Sequence, residues 1–280
     1  DLRISNESGH MVIRFANSAN DSITIRYHFY GDSRWLVSGI ELNDGSVIDI
    51  SLSSTAYTLY SSTTDAGGTV DSNYMGVDII TGGNGNDIFY SHAGNDILVA
   101  NGGDDKLNGE DGEDNLEAGA GNDTLRGGNG GDFLSGGEGI DDLDGQNGDD
   151  TLVGGLGADT VKGGVGSDTY IFNKGDGADY IEDYNNSGVA ETNIIKLGVG
   201  ITLQNLRFSL EGSDNLVVRF SNTPDDSITL VNHFYYSDSR NISKIVFADN
   251  SYLDISKTST AYLLYSNATD AGGTIDSDYI

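Results

Sequence analysis

From Gly82 to Ile171 the sequence advances ten consecutive times in steps of nine residues, on the pattern G-G-x-G-x-D-x-U-x in which U is apolar. Position four is glycine in every step: Gly85, Gly94, Gly103, Gly112, Gly121, Gly130, Gly139, Gly148, Gly157 and Gly166. Position six is always aspartate: Asp87, Asp96, Asp105, Asp114, Asp123, Asp132, Asp141, Asp150, Asp159 and Asp168. Position eight is always apolar, from Phe89 and Leu98 to Val161 and Tyr170. A weaker copy precedes the run in NYMGVDIIT (Gly76, Asp78, Ile80), and another follows in KGDGADYI (Gly177, Asp179, Ile181), displaced by a two-residue insertion. A period held this strictly implies stacked repeats, each a small unit that buries its apolar residue only against its neighbours.

Each unit can be read position by position. Three residues centred on the apolar one make a short strand with one side chain inward, and the six before it turn the chain. Two nonapeptides then complete one coil, and stacked coils give two parallel sheets in which every second turn lies above its predecessor. The expected fold class is all-β, a parallel β-roll. One inward apolar side chain per nine residues contributes less than the ordering of nine backbones costs, so the core alone does not fold this segment.

The turns supply what the core lacks. Glycines bend each turn until its carbonyl oxygens face inward, and a carboxylate closes the same cavity. Hard oxygen ligands in a flexible cage suit Ca²⁺, whereas Mg²⁺ demands stricter octahedral geometry and gives up water reluctantly. Stacking places Asp78, Asp96, Asp114, Asp132, Asp150 and Asp168 along one flank and Asp87, Asp105, Asp123, Asp141, Asp159 and Asp179 along the other. One ion between successive members of each flank gives about ten Ca²⁺. The charge agrees: 44 acidic residues against 14 basic ones leave a formal −30, which excludes ordinary nucleic-acid backbone binding and calls for a metal or a polycation. Cysteine is absent, so neither disulfides nor thiolate metal sites hold the chain together.

These residues resemble the nonapeptide motif of the repeats-in-toxin family over about residues 73–183. The resemblance implies a calcium-bound parallel β-roll in which carbonyls at motif positions one to four, the position-four glycines included, join the aspartates as ligands. It also implies export through type I secretion machinery, unfolded in a calcium-poor cytosol, and a secreted, extracellular or bacterial cell-surface location. Position one departs from glycine at Ser91, Ala100 and Ala118, and position two at His92, Asn101, Glu110 and Gln146. A carbonyl ligand survives such changes wherever the backbone angle does.

The segments on either side are copies of each other. DSITIRYHFY at 21–30 returns as DSITLVNHFY at 226–235, STAYTLYS at 54–61 as STAYLLYS at 259–266, and TDAGGTVDS at 64–72 as TDAGGTIDS at 269–277. The expected organisation is a flanking β-domain at 1–72, the calcium-binding roll at 73–183, and a second flanking β-domain at 184–280. Alternating apolar and polar residues, as in LRISNESGHMVIRF and NLVVRFSN, predict antiparallel strands there, similar to the β-domain that accompanies such arrays in the family. The duplication makes the chain read as slightly more than one period of a longer tandem protein.

No catalytic constellation stands out. The histidines His28 and His233 occupy equivalent strand positions and read as packing, G-x-S-x-G and H-E-x-x-H are absent, and no apolar run approaches the length of a membrane span. The fifteen tyrosines and Trp35 lie almost wholly in the flanks, where strand propensity accounts for them and a sugar-binding face is the alternative. Three functions follow: a non-enzymatic calcium-dependent folding and extension module, monomeric in isolation; an adhesin segment whose flanks contact a cell surface or glycan; or an accessory module of a secreted hydrolase or epimerase.

Overall fold

The computed structural model describes residues 76–183, 191–212, 214–233 and 242–256, together with strand backbone at 2–7, 10–15, 18–25, 40–41, 47–53, 56–60, 69–71, 263–265 and 273–274. Among the described residues the regular structure is β-strand throughout, apart from one 3-10 turn at Leu203–Asn205. Among the described residues no helix is long and apolar enough to cross a membrane. The chain divides into two compact units, 1–133 and 134–280.

Within the first unit, Val77–Thr81, Ile97–Gly102 and Asn115–Ala120 form one parallel stack. Thr69–Asp71, Ile88–Tyr90, Lys106–Asp111 and Thr124–Asn129 form another. Ile79 pairs with Ile97 and Ile97 with Asn115, while Ile88 pairs with Lys106 and Lys106 with Thr124. The coil is thus eighteen residues, and successive nonapeptides alternate between stacks. In the second unit Asp142 pairs with Thr160 and Thr151 with Thr169 at the same spacing. Thr160 then pairs with Tyr180, so the two extra residues are accommodated in the turn and the strand keeps its register. Thr169 pairs with Ile194, where Asn193–Leu197 takes the next place.

The strands are longer than the apolar position alone suggests, typically six residues, and they continue into the following turn. Asn115–Ala120 shows why: Leu116 and Ala118 both point inward and both are fully buried. Position eight and the next position one therefore share the interior, as Leu98 with Ala100 also shows. A large position-eight side chain beside glycine, alanine or serine at position one fills the thin space between two sheets.

Glycine at position four has a definite steric role. Nine of these ten residues, Gly94 to Gly166, have φ between +116 and +154°, and a Cβ on Gly112 would run into the carbonyl of Gly94 one coil earlier. Position two has positive φ as well from residue 92 onward, and the four residues that replace glycine there keep that conformation: His92, Asn101, Glu110 and Gln146 have φ of 69, 73, 75 and 76°. The backbone angle thus survives these substitutions, at the strain that L-residues incur there.

The flanks are antiparallel. In the first unit Leu2–Glu7, His10–Phe15 and Ser18–Ile25 form a meander, and Ile40–Glu41, Val47–Ser53 and Ala56–Tyr60 extend the other sheet. In the second, Leu206–Glu211, Asn215–Phe220 and Thr223–Leu230 repeat the meander, with the same register irregularity at Arg219/Phe220 that the first copy has at Arg14/Phe15. Leu216, Val218, Phe220 and Ile228 make its core, and Phe220 stacks on Phe172 of the last coil at 5.0 Å between centroids. His233 is buried, with Nε2 3.3 Å from the Ile255 carbonyl. His28, Trp35 and most flank tyrosines lie outside the described residues.

Two substitutions test this packing in calcium-replete protein by denaturant unfolding. Leu116→Ala empties a fully buried position and is expected to cost about 2–5 kcal/mol. Gly112→Ala places a Cβ against a backbone carbonyl that cannot swing aside and is expected to cost about 3 kcal/mol or more. A loss below about 1 kcal/mol at Gly112 would mean that the coils do not approach as closely as described.

Candidate metal centre

Each aspartate at position six is buried, with relative exposures of 0–3% from Asp78 to Asp168 and 5% at Asp179. One oxygen of each pair is engaged in the stacking. In the first unit the Asp78 amide donates to Asp96 Oδ1 (2.7 Å), Asp96 to Asp114 (2.8 Å) and Asp114 to Asp132 (2.8 Å). On the alternate flank Asp87 donates to Asp105 and Asp105 to Asp123, both at 2.7 Å. In the second unit Asp141 donates to Asp159 and Asp150 to Asp168, both at 2.9 Å. Asp159 donates to Asp179 at 3.1 Å, so Asp179 keeps its place in the ladder despite the insertion. Beyond Asp168 the next acceptor is Asn193 Oδ1, at 2.8 Å.

The other oxygen faces the interior of its turn. Oδ2 of Asp96, Asp105, Asp114, Asp159 and Asp168 is buried and has no hydrogen-bond partner. Around it lie backbone oxygens. A Cβ on Gly82 would lie 2.5 Å from Asp87 Oδ2 and 2.7 Å from the Ala100 carbonyl. One on Gly109, Gly136 or Gly145 would likewise meet its own turn's Asp Oδ2 and the position-one carbonyl of the next coil. The cavity is lined by oxygen from a carboxylate and from backbone of two stacked turns, and glycine at position one keeps it open.

Burial raises these carboxyls. Desolvation lifts Asp105 and Asp114 to about 7 and Asp123, Asp132 and Asp168 to about 6, against the opposing pull of the backbone amide each accepts. Asp96 and Asp159 are raised for the same reason. Asp179 is pushed to about 8 by burial and by Asp159, Asp176 and Asp226 nearby. A carboxylate in such a turn either holds a proton or shares a positive ion.

Among the described residues no three carboxylate or histidine side chains converge as a metal site. The donor chemistry fits a hard cation all the same: carboxylate oxygen lacking a partner, further oxygen on the backbone, no sulfur, and an imidazole in one turn alone, that of His92 and Asp96. A cation there would draw most of its ligands from carbonyls.

Individual turns differ. Ser91, at position one, donates its hydroxyl to the Gly109 carbonyl at 3.1 Å, adding an oxygen to the turn of Asp96. Ala100 and Ala118 put a methyl in the same position. In the first turn Asp87 Oδ2 accepts the Gly83 amide at 3.1 Å. At the far end the Tyr170 hydroxyl stands against Gly163 and Asp168, where other turns present a carbonyl. It accepts the Gly163 amide at 2.9 Å and donates to Asp183 Oδ2 at 3.1 Å.

Sequence reasoning missed three groups here. Asp176 and Asp226, both buried, lie near Asp179, and Asp226 accepts the Gly175 amide at 2.8 Å. The insertion before Asp179 was the available signal for Asp176. Position five carries a second, exposed ladder: Asn86 Oδ1 accepts the Asp104 amide, Asn95 that of Glu113, and Asp104 that of Asn122. The recurrence of Asn and Asp at that position was its signal.

Comparison with known proteins agrees with this geometry. The RTX calcium-binding nonapeptide repeat matches four times, at 74–107, 108–143, 135–170 and 144–181. The haemolysin-type calcium binding protein related domain matches at 10–51 and again at 215–257. No curated protein matches the chain. Among solved structures, the AlgE6R3 subunit of the Azotobacter vinelandii mannuronan C5-epimerase is 21% identical, with 61% of this chain and 91% of that one covered and a TM-score of 0.34. The extracellular lipase LipA of Serratia marcescens is 17% identical, with 69% and 42% covered and a TM-score of 0.25, so the chain spans under half of that lipase. Residues 74–181 are an array of RTX calcium-binding nonapeptide repeats bounded by two haemolysin-type related domains, and the chain belongs to the repeats-in-toxin family.

Proposed function

We propose that this chain is a calcium-dependent folding and extension module of a larger secreted protein, without catalysis of its own. The observation that carries the proposal is the buried Oδ2 without a hydrogen-bond partner repeated at Asp96, Asp105, Asp114, Asp159 and Asp168, with the Gly127 carbonyl of the next coil beside it at Asp114. The aspartates from Asp78 to Asp179, with carbonyls of motif positions one to four including Gly85 to Gly166, hold about ten ions, one between successive turns of a flank. The roll occupies 73–183 and the flanking domains 1–72 and 184–280. Residues 82–171 carry 19 acidic and 3 basic side chains, which repel one another in any compact metal-free state. Free calcium at ten times the dissociation constant adds about 1.4 kcal/mol per site, so about ten sites together match the net stability of an ordinary domain. Folding is thereby confined to calcium-rich surroundings outside the cell.

Circular dichroism in EGTA and then in millimolar Ca²⁺ tests the coupling. The β-signal is expected to grow with calcium, and one unchanged by chelation overturns the proposal. Asp114→Ala is expected to remove about two ions from the calorimetric stoichiometry, because its carboxylate serves the gaps toward both Asp96 and Asp132, and to lower calcium-replete stability by several kcal/mol. Asp111→Ala, on the exposed side of the strand, is expected to leave the stoichiometry intact.

Without metal the pH dependence is inverted relative to an ordinary protein. Carboxyls raised to about 7 in the fold, as at Asp105 and Asp114, keep protons that the unfolded chain releases near 3.8. Their contribution to metal-free stability is therefore complete below about pH 4 and lost as pH rises through about 7. Dichroism in EGTA is expected to show more β-structure at about pH 4.5 than at about pH 8, with calcium affinity rising over the same interval. A metal-free β-signal that strengthens with pH contradicts this.

A further inference from the structure

The two copies of the flanking meander adjoin nonapeptide strands by opposite edges. In the first copy the leading strand, Leu2–Glu7, carries the nonapeptide-side strand Thr69–Asp71 in parallel, with Leu2 opposite Val70 and Arg3 opposite Asp71. In the second copy the leading strand, Leu206–Glu211, lies at the sheet's end among the described residues, and the third strand, Thr223–Leu230, pairs in parallel with Ala178–Ile181. The meanders are otherwise equivalent, sharing the LR-x-S start at 2–5 and 206–209, the DSIT core and the register irregularity.

The other sheet repeats the arrangement. In the first copy Ala56–Tyr60 pairs in parallel with Val77–Thr81, the first strand of the array, while Ile40–Glu41 ends the sheet. In the second copy Ile242–Val246, which occupies the place of Ile40–Glu41, pairs in parallel with Asn193–Leu197. One set of edges thus takes strands that arrive from a roll, and the opposite set takes strands that lead into one.

We propose that the flanking domain is a two-sided coupler, and that the open edge of Leu206–Glu211 is the docking site for the leading strand of a further nonapeptide roll. The occupant is specified by the first copy, where it is seated: a T-[V/I]-D strand in parallel, with the register of Leu2 on Val70 carried to Leu206. The sequence holds such a segment at the matching distance, TID at 274–276 for Thr69–Asp71; in this chain Gly273–Thr274 pairs antiparallel with Leu263–Tyr265, a place it leaves in order to dock. The edge is suited to receive it. Ser221 donates to Asn205, so the alternation of an antiparallel pair turns the amides and carbonyls of Leu206, Phe208 and Leu210 outward. Arg207 folds back to donate to the Leu206 carbonyl at 2.8 Å, a charged guard of the kind that keeps an open edge from pairing at random. This inference rests on the calcium-driven folding of the rolls and adds where a roll begins.

The test is a doubled chain: residues 1–280 followed directly by a second copy of 76–280, since DSDYI at 276–280 stands where DSNYM stands at 71–75. Hydrogen exchange in millimolar Ca²⁺ is compared with the 280-residue protein. The Leu206 amide is expected to exchange at least tenfold more slowly in the doubled chain, with calcium uptake about doubled. Doubled uptake with Leu206 exchange unchanged overturns the coupler, because the second roll then folds without that edge. A second roll that takes up no calcium while the first does so normally also overturns it. Failure of the first roll to take up calcium, read in the 280-residue protein, counts instead against the calcium reading.

Discussion

Everything in this chain turns on placing one carboxylate per turn, out of water, above another like it. From Asp96 to Asp132 on one flank the arrangement gains a backbone hydrogen bond through Oδ1, and at Asp114 it leaves Oδ2 without a partner and facing the carbonyl of the next coil, a concentration of negative and partly negative oxygen. Ordinary domains avoid burying such groups because desolvation outweighs what a single hydrogen bond returns. Under the proposed function these unfavourable electrostatics are what makes folding conditional on a cation. The nonapeptide core of leucines and small residues is thin, so the oxygen-lined turns decide whether the coils stack.

The glycines serve that placement in two distinct ways. At position four they let one turn's backbone lie against the carbonyl of the turn one coil away, an approach closed to any side chain. At position one they leave space in front of Oδ2. Position two is crowded as well, a Cβ on Gly119 or Gly128 running into the carbonyl of Asn101 or Glu110, yet histidine, asparagine, glutamate and glutamine hold its left-handed conformation at 92, 101, 110 and 146. Of their side chains, His92 contacts Glu110 at 2.8 Å and Asn101 donates to the Gly82 carbonyl at 2.8 Å. Departures from the motif therefore carry different weights according to what the backbone does at each place.

The sequence displayed the coil length, the alternation of flanks and the inward position-eight residues, because a strict period and an exclusive aspartate leave few alternatives. It showed the flanks as duplicated antiparallel β-segments for the same reason. Strand length was less legible: position one is small, and a buried Ala118 looks no different in sequence from a turn residue. The end of the array was hidden too. Asn193 continues the Asp168 flank after a spacing of twenty-five residues, and Tyr170 turns its hydroxyl into the last turn, arrangements set by chain reversal and not by period. Asp226 shares its local sequence with Asp21, yet its burial near Asp179 follows from which edge of the meander adjoins the roll, a property of topology.

Alternation between two stacks also constrains how such an array can change in length. Each nonapeptide crosses to the opposite sheet, and the closing strands are specific to their sheet, Thr223–Leu230 receiving one stack and Ile242–Val246 the other. Gain or loss of eighteen residues leaves both ends matched. Gain or loss of nine would exchange the stacks and present each closing strand with the wrong partner. Such arrays are expected to evolve by even steps, with genetic duplication retained in pairs of motifs even though the recognisable motif is single.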